Sequence, residues 1–294
     1  MKTFLLICCL CGPALAQSLL PPAAGKRIVV EISTDMQTWT MAMPYNSPRG
    51  FIRARTETNA LFEIWINDAD ALTGADVAIF ANGQRNPQCW GASIDLTAFC
   101  TTSQAGVLVS PRHVLFVTHY HPAVGAALQW LTPNNQTISR TLTAVVSLPD
   151  TTYLHPDVTV GVLDSDLPAS IAFVKVFGDS ALRDWAGYQV PVMLRDQFNH
   201  LHEADVQQVF PIGSTAPTIL LQPPLAAARL PRYKTIISGD SGSPVCLVEN
   251  GKPVLLMMLS QGGSGRGTLL AAYITPINAA MQQLGGGYQL TTTP

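Results

Sequence analysis

Gly239-Asp240-Ser241-Gly242-Ser243-Pro244 is the most informative stretch of this 294-residue chain. A serine flanked by glycines in a tight turn exposes its hydroxyl. The same turn frees backbone N–H groups, here those of Gly239 and Ser241, to face a carbonyl that the hydroxyl attacks. Such an oxyanion hole is among the largest single contributions to acyl-transfer catalysis. Small residues also fill ordinary turns, so the loop gains meaning only from what accompanies it. A nucleophilic serine needs a base and a group that orients the base.

Two upstream segments supply candidates. The run Ala105-Gly106-Val107-Leu108-Val109-Ser110-Pro111-Arg112-His113-Val114-Leu115-Phe116-Val117-Thr118-His119 reads as strand, turn and strand ending in a histidine. His121, two residues on, shares the face of His119 in extended structure and is the rival base. Between histidine and serine, Pro156-Asp157-Val158-Thr159-Val160-Gly161-Val162-Leu163 is an apolar run opened by an aspartate, whereas Asp164 and Asp166 only follow it.

These strings together resemble the trypsin/chymotrypsin-like serine proteases, in a secreted form of bacterial type. Ser243 stands where the best-known members carry glycine, and Tyr120 replaces the cysteine that usually follows the catalytic histidine. The resemblance implies His119 as base, Asp157 as orienter and Ser241 as nucleophile, with Gly239 and Ser241 as oxyanion donors. The order His, Asp, Ser is that of chymotrypsin and not of subtilisin or the α/β-hydrolases. It further implies an all-β fold of two six-stranded antiparallel β-barrels with a C-terminal helix, the site between them, over residues 76–294. The substrate would be a polypeptide, and the chemistry requires no cofactor and no metal. In this family the residue six before the serine floors the primary pocket, here Thr235. Ser260-Gln261-Gly262 resembles the strand that pairs with substrate, and Ala271 falls near a second wall position. A neutral floor implies cleavage after small or medium uncharged residues.

A second resemblance competes at the histidine. Val114-Leu115-Phe116-Val117-Thr118-His119-Tyr120-His121 also resembles the strand-then-Thr-His-x-His motif of metallo-β-lactamase-like hydrolases, and zinc accepts two imidazoles so placed. That motif continues with an aspartate and a histidine, where this chain has Ala123 and Val124, neither of which ligates a metal. His200-x-His202 with Glu203 has metal-like spacing too; its plainer reading is a polar loop or strand edge. A third possibility is a trypsin-like fold retained as a catalytically silent binding module.

Lys2, the apolar stretch Phe4 to Leu10 and the small-residue site Ala14-Leu15-Ala16 read as a signal peptide over residues 1–16, cleaved before Gln17. The expected location is secreted or periplasmic. The apolar run is too short to span a bilayer and no later one is longer, so no membrane association is expected after cleavage. A net charge of −2 with 12% charged residues gives no electrostatic footprint for nucleic acid. Cys8, Cys9 and Cys11 would leave with the leader. Cys89 and Cys100 would close a small disulfide loop in an oxidising compartment, and Cys246 reads as a buried apolar residue.

Short apolar runs between Gly, Pro, Asn and Ser recur at Val77–Phe80, Val107–Val109, Val114–Val117, Thr141–Leu148, Val158–Leu163, Ile219–Leu221, Val254–Leu259 and Thr268–Ile274, the pattern of a barrel or sandwich. One helix is legible near the end. Thr275 is placed to cap it, Pro276 suits its first turn, and Ile277, Ala280, Met281 and Leu284 form its stripe before Gly285 stops it. Residues 17–75 lie outside the protease resemblance and read as a small β-rich extension, in which Ile28–Thr40 followed by Gly50–Arg55 looks like a strand, a polar turn and a returning strand. Within it Lys26-Arg27-Ile28-Val29 mimics a zymogen cleavage site. Val30-Glu31 stands where glycines would follow, so a plain strand is expected there, with Asp240 satisfied by another internal donor.

Overall fold

Alternating apolar runs broken by turn residues produce a mostly β molecule, with one short α-helix among the described residues, near the C-terminal end. The computed structural model describes residues 72–102, 106–150, 156–178, 190–210 and 217–293, together with the backbone of four earlier strands. Those four are β1 (Leu6–Ile7), β2 (Lys26–Ser33), β3 (Thr40–Met41) and β4 (Phe51–Thr58). They form one sheet in the order β1-β4-β2-β3. The strand and returning strand expected over 28–55 are therefore present. Ile28 lies inside β2, opposite Thr56. Apart from Leu6–Ile7, the leader over 1–16 falls outside the described residues.

A hairpin of β5 (Phe80–Ala81) and β6 (Gln84–Arg85) precedes the first large sheet. That sheet contains β7 (Val107–Leu108), β8 (His113–Phe116), β9 (Ala127–Leu131), β10 (Thr137–Ser147) and β11 (Thr159–Leu163), ordered β7-β8-β11-β10-β9. It is a half-barrel. The expected six-stranded ring does not close by a regular strand among the described residues, because its two edges are spanned instead by irregular chain. Phe99 bridges Val107 on one edge, and Thr101 donates its N–H to the Gln129 carbonyl on the other, at 2.7 Å. Fully buried Trp130 fills the gap and donates its indole N–H to the Ala98 carbonyl.

The second large sheet holds β12 (Lys175–Phe177), β13 (Pro191–Arg195), β14 (Leu201–Phe210), β15 (Thr218–Gln222), β16 (Pro244–Glu249), β17 (Lys252–Gln261), β18 (Arg266–Leu269) and β19 (Thr292–Thr293). The order β16-β13-β14-β15-β18-β17, with β17 pairing back onto β16, closes a six-stranded barrel. Closure leaves those six strands without a free edge.

Helix α1 (Ile274–Leu284) packs its buried face of Ile277, Ala280 and Met281 against β10 and β11 of the half-barrel. It therefore ties the chain end back to the other half. Gly285 ends it at φ 85°, its N–H bonded to the Met281 and Gln282 carbonyls. Thr275 is not its cap. A 3-10 turn over Leu270–Tyr273 runs straight into the helix, so Thr275 already lies within the first turn. The same turn shortens the strand expected over Thr268–Ile274 to one that ends at Leu269.

The cysteine pairing is also corrected. Cys89, Cys100 and Cys246 are all buried free thiols. Cys89 Sγ lies against the Val77 carbonyl, while Cys100 Sγ lies 3.3 Å from Thr102 Oγ1, so each has its own niche in the half-barrel core. Cys246 is the apolar core residue the sequence suggested, and burial pushes its thiol far up from the ordinary value.

Candidate active site

Strand pairing explains how His119 and Asp157 meet. β8 and β11 are antiparallel with Phe116 opposite Thr159, so the chain leaving β8 runs beside the chain arriving at β11. Thr118 donates its N–H to the Asp157 carbonyl at 3.3 Å, and a Val117–Tyr120 bridge folds Thr118-His119 into a tight turn. Asp157 sits at φ 48°, the left-handed region that aspartate tolerates better than most residues.

The side chains then converge. Asp157 Oδ2 lies 2.7 Å from His119 Nδ1, and Oδ1 accepts the His119 backbone N–H at 3.1 Å. His119 Nε2 lies 2.9 Å from Ser241 Oγ. The imidazole remains 47% exposed and so stays open to a substrate. An imidazole so held can take the hydroxyl proton on Nε2 while the carboxylate fixes the proton on Nδ1. The rival His121 turns away, its Nδ1 2.9 Å from the Pro122 carbonyl. Asp166 is engaged elsewhere, with Arg112 and Tyr288, and Asp164 accepts from Ser165.

Ser241 comes from the second barrel. Its loop is tied to β17 by two bonds: Gly242 N–H to the Leu259 carbonyl, and Leu259 N–H to the Ser243 carbonyl. Gly239 at φ 95° and Gly242 at φ 81° occupy backbone that other residues rarely adopt. A Cβ on Gly239 would fall 2.3 Å from Gln197 Oε1. Neither the Gly239 nor the Ser241 N–H donates to any group among the described residues, so both remain available to an oxyanion.

Asp240, fully buried beside the nucleophile, has an internal partner. Lys234 Nζ lies 3.1 Å from its Oδ2, and the Ile237 N–H donates to the same oxygen at 2.9 Å. Lys234 also reaches Asp196 Oδ2, at 2.8 Å. Only proximity in sequence, six residues, hinted at Lys234. A second contact that sequence reading misses crosses between the halves. Thr268 on β18 donates its hydroxyl to the Pro156 carbonyl, anchoring the residue before Asp157 to the second barrel.

The pocket assignments fare unevenly. Thr235 is exposed; the buried member of its segment is Ile236, which bridges Gly263 through two backbone bonds. Ser260 and Gly262 flank that junction, and a Cβ on Gly262 would lie 3.2 Å from the Ile236 carbonyl. Ala271 lies elsewhere. It sits in the 3-10 turn with its methyl packed in the core of the second barrel, because the chain has already left β18. Ile236, one place along from Thr235, is thus the buried residue at that junction.

Behind the nucleophile loop lies a group of buried ions. Glu203 pairs with Arg232 at 2.6 Å and Asp205 with Arg229 at 2.7 Å. Asp196 gathers His202 Nε2 at 3.2 Å, His200 Nδ1 at 3.5 Å and Lys234. Burial opposes its charge, yet hydrogen bonds from His202 and Lys234 hold its carboxyl well below the usual carboxylate range. The His200-x-His202 pair therefore joins Asp196 and not Glu203. No protein-family model matches the sequence, and no curated protein matches it either.

Proposed function

We propose that this chain is a serine endopeptidase of trypsin-like type, exported from the cell. One observation carries the reading: His119 stands between Asp157 and Ser241 at 2.7 and 2.9 Å, on groups delivered by separate parts of the chain. In this reading Ser241 Oγ attacks the substrate carbonyl and its proton passes to His119 Nε2. The Gly239 and Ser241 N–H groups stabilise the oxyanion. Collapse of the tetrahedral adduct breaks the C–N bond, and the amine leaves with the proton from His119. Water then repeats the sequence on the acyl-enzyme, with His119 again as base.

Nearby charges support an uncharged side chain before the cleaved bond. Asp196 and Asp240 both already hold Lys234, and Glu203 holds Arg232. An arginine placed against Ile236 would find those three carboxylates already paired, at a cost of roughly 3–5 kcal/mol for an uncompensated buried charge.

Labelling with a fluorophosphonate tests the reading. The purified chain should react at Ser241, Ser241→Ala should not, and a chelator should change nothing. Absence of labelling together with absence of peptide hydrolysis would favour a silent binding module. Hydrolysis that is abolished by chelator and survives in Ser241→Ala would favour a metallohydrolase.

A further inference from the structure

The pair His200 and His202 is left unused by the triad, and with Asp196 it is the one group of three potential metal ligands found among the described residues. We propose that Asp196 Oδ2, His200 Nδ1 and His202 Nε2 form a binding site for a divalent cation of the zinc class, separate from the triad. The proposal does not depend on the protease reading.

Three observations carry it. The first is spacing. His202 Nε2 lies 3.2 Å and His200 Nδ1 3.5 Å from Asp196 Oδ2. Two ligands on a tetrahedral zinc ion, each about 2.0–2.2 Å from the metal, stand about 3.3–3.6 Å apart. All three donor atoms lie within 4.8 Å of one another.

The second is the outer support of the ligands. His202 Nδ1 lies 3.2 Å from the Arg232 carbonyl, which can accept only a proton-bearing nitrogen. A ring that keeps its proton on Nδ1 would offer Nε2 to an ion bound by Asp196 Oδ2, in place of the hydrogen bond that Nε2 makes to that oxygen. A carbonyl holding the far nitrogen is the arrangement that fixes metal-ligating imidazoles. Asp196 is fixed in the same way. Its other oxygen, Oδ1, accepts the N–H groups of Phe198 and His200 at 2.8 Å each, which leaves Oδ2 turned toward the two rings.

The third is access and charge. Asp196 and His202 are buried, but the His200 side chain is 40% exposed and gives an ion a way in. Lys234 already supplies one cation to Asp196 Oδ2 at 2.8 Å, from the side of Asp240. Its ammonium is also held by Asp240 at 3.1 Å, so that carboxylate retains Lys234 when a divalent ion takes the Asp196 oxygen. With three protein donors, water fills the remaining coordination position. Because the donors are nitrogen and oxygen, the ion is of the zinc or cobalt kind and not the calcium kind, which takes six or more oxygens.

The test uses the full purified chain, first stripped with chelator and then titrated with Zn2+ and with Co2+ by calorimetry and visible absorption. The expected result is one saturable ion per chain, with the visible bands of tetrahedral Co2+ and a rise in melting temperature. Asp196→Asn, which keeps the Oδ1 acceptor, and His200→Ala, at an exposed position, should each weaken binding by more than the ~10–100-fold that loss of an outer partner costs. Ser241→Ala and His121→Ala should bind as the parent does. No saturable uptake by the parent chain would overturn the proposal. So would affinity equal to the parent's in both ligand variants, or loss of uptake in His121→Ala with His200→Ala unaffected, since that would locate the ion at the other histidine pair.

Discussion

His119-Tyr120-His121 and His200-Leu201-His202 have the same spacing and opposite fates. In the first pair the chain is a tight turn, so the rings diverge, one to Asp157 and Ser241 and the other to the Pro122 carbonyl. In the second the chain is entering β14, and alternate residues share a face. Both rings therefore turn to one carboxylate, with centroids 6.1 Å apart. Spacing alone predicts convergence only in a strand. In a turn, each histidine takes whichever partner its own backbone direction reaches.

The sharpest way to break this contrast is to remove one ring from the first pair. On the proposed mechanism, His119→Ala should lower kcat on a peptide substrate by roughly 10^5–10^6, while His121→Ala should stay within a few-fold. Steady-state kinetics on both decide it; the opposite ranking would move the base to His121. Next in size, Asp157→Asn should cost about 10^4 in kcat with little change in KM, since the imidazole loses its fixed tautomer. An intact kcat in that variant would detach Asp157 from the site.

The link between the two regions comes third. Lys234→Met leaves Asp240 buried without its cation, and the expected loss is about 3 kcal/mol of stability with a lower kcat, partly restored in Lys234→Arg. Melting curves and turnover of the two variants test this; equal stability of Lys234→Met and parent would show the pair to be incidental. Smallest is His202→Ala, which unmakes the hydrogen bonds to Asp196 and Arg232 and should cost about 1–3 kcal/mol, read as a lower melting temperature. A melting temperature equal to the parent's would show that the second pair does not support the barrel.

Much of the first region was legible because its signals are local. The Gly-flanked Ser241, the apolar strand ending at His119 and the aspartate opening β11 each occupy a few consecutive residues. The second region was not. β14 carries His202 and Glu203, which read as a polar loop or strand edge, yet both are buried, as is Asp205 on the same strand. Their partners Arg229, Arg232 and Asp196 lie 6 to 29 residues away, and no short window shows the neutralisation. The same limit hid Thr268 beneath Pro156, 112 residues away. The cysteine pairing failed for a related reason, since closeness in sequence says nothing of where two thiols point.

The range of two contacts also orders the events of folding. Lys234 and Asp240 are separated by six residues, whereas His119 and Ser241 are separated by 122. A short loop closes at little entropic cost and a long one must wait for both halves to be built. On that ground the Ser241 turn is expected to form within its own barrel first, and its hydroxyl to meet the imidazole when the two halves dock. In a refolding experiment, fluorescence and secondary structure should recover before any reactivity of Ser241. On the proposed function, labelling of Ser241 would then time the last step of assembly.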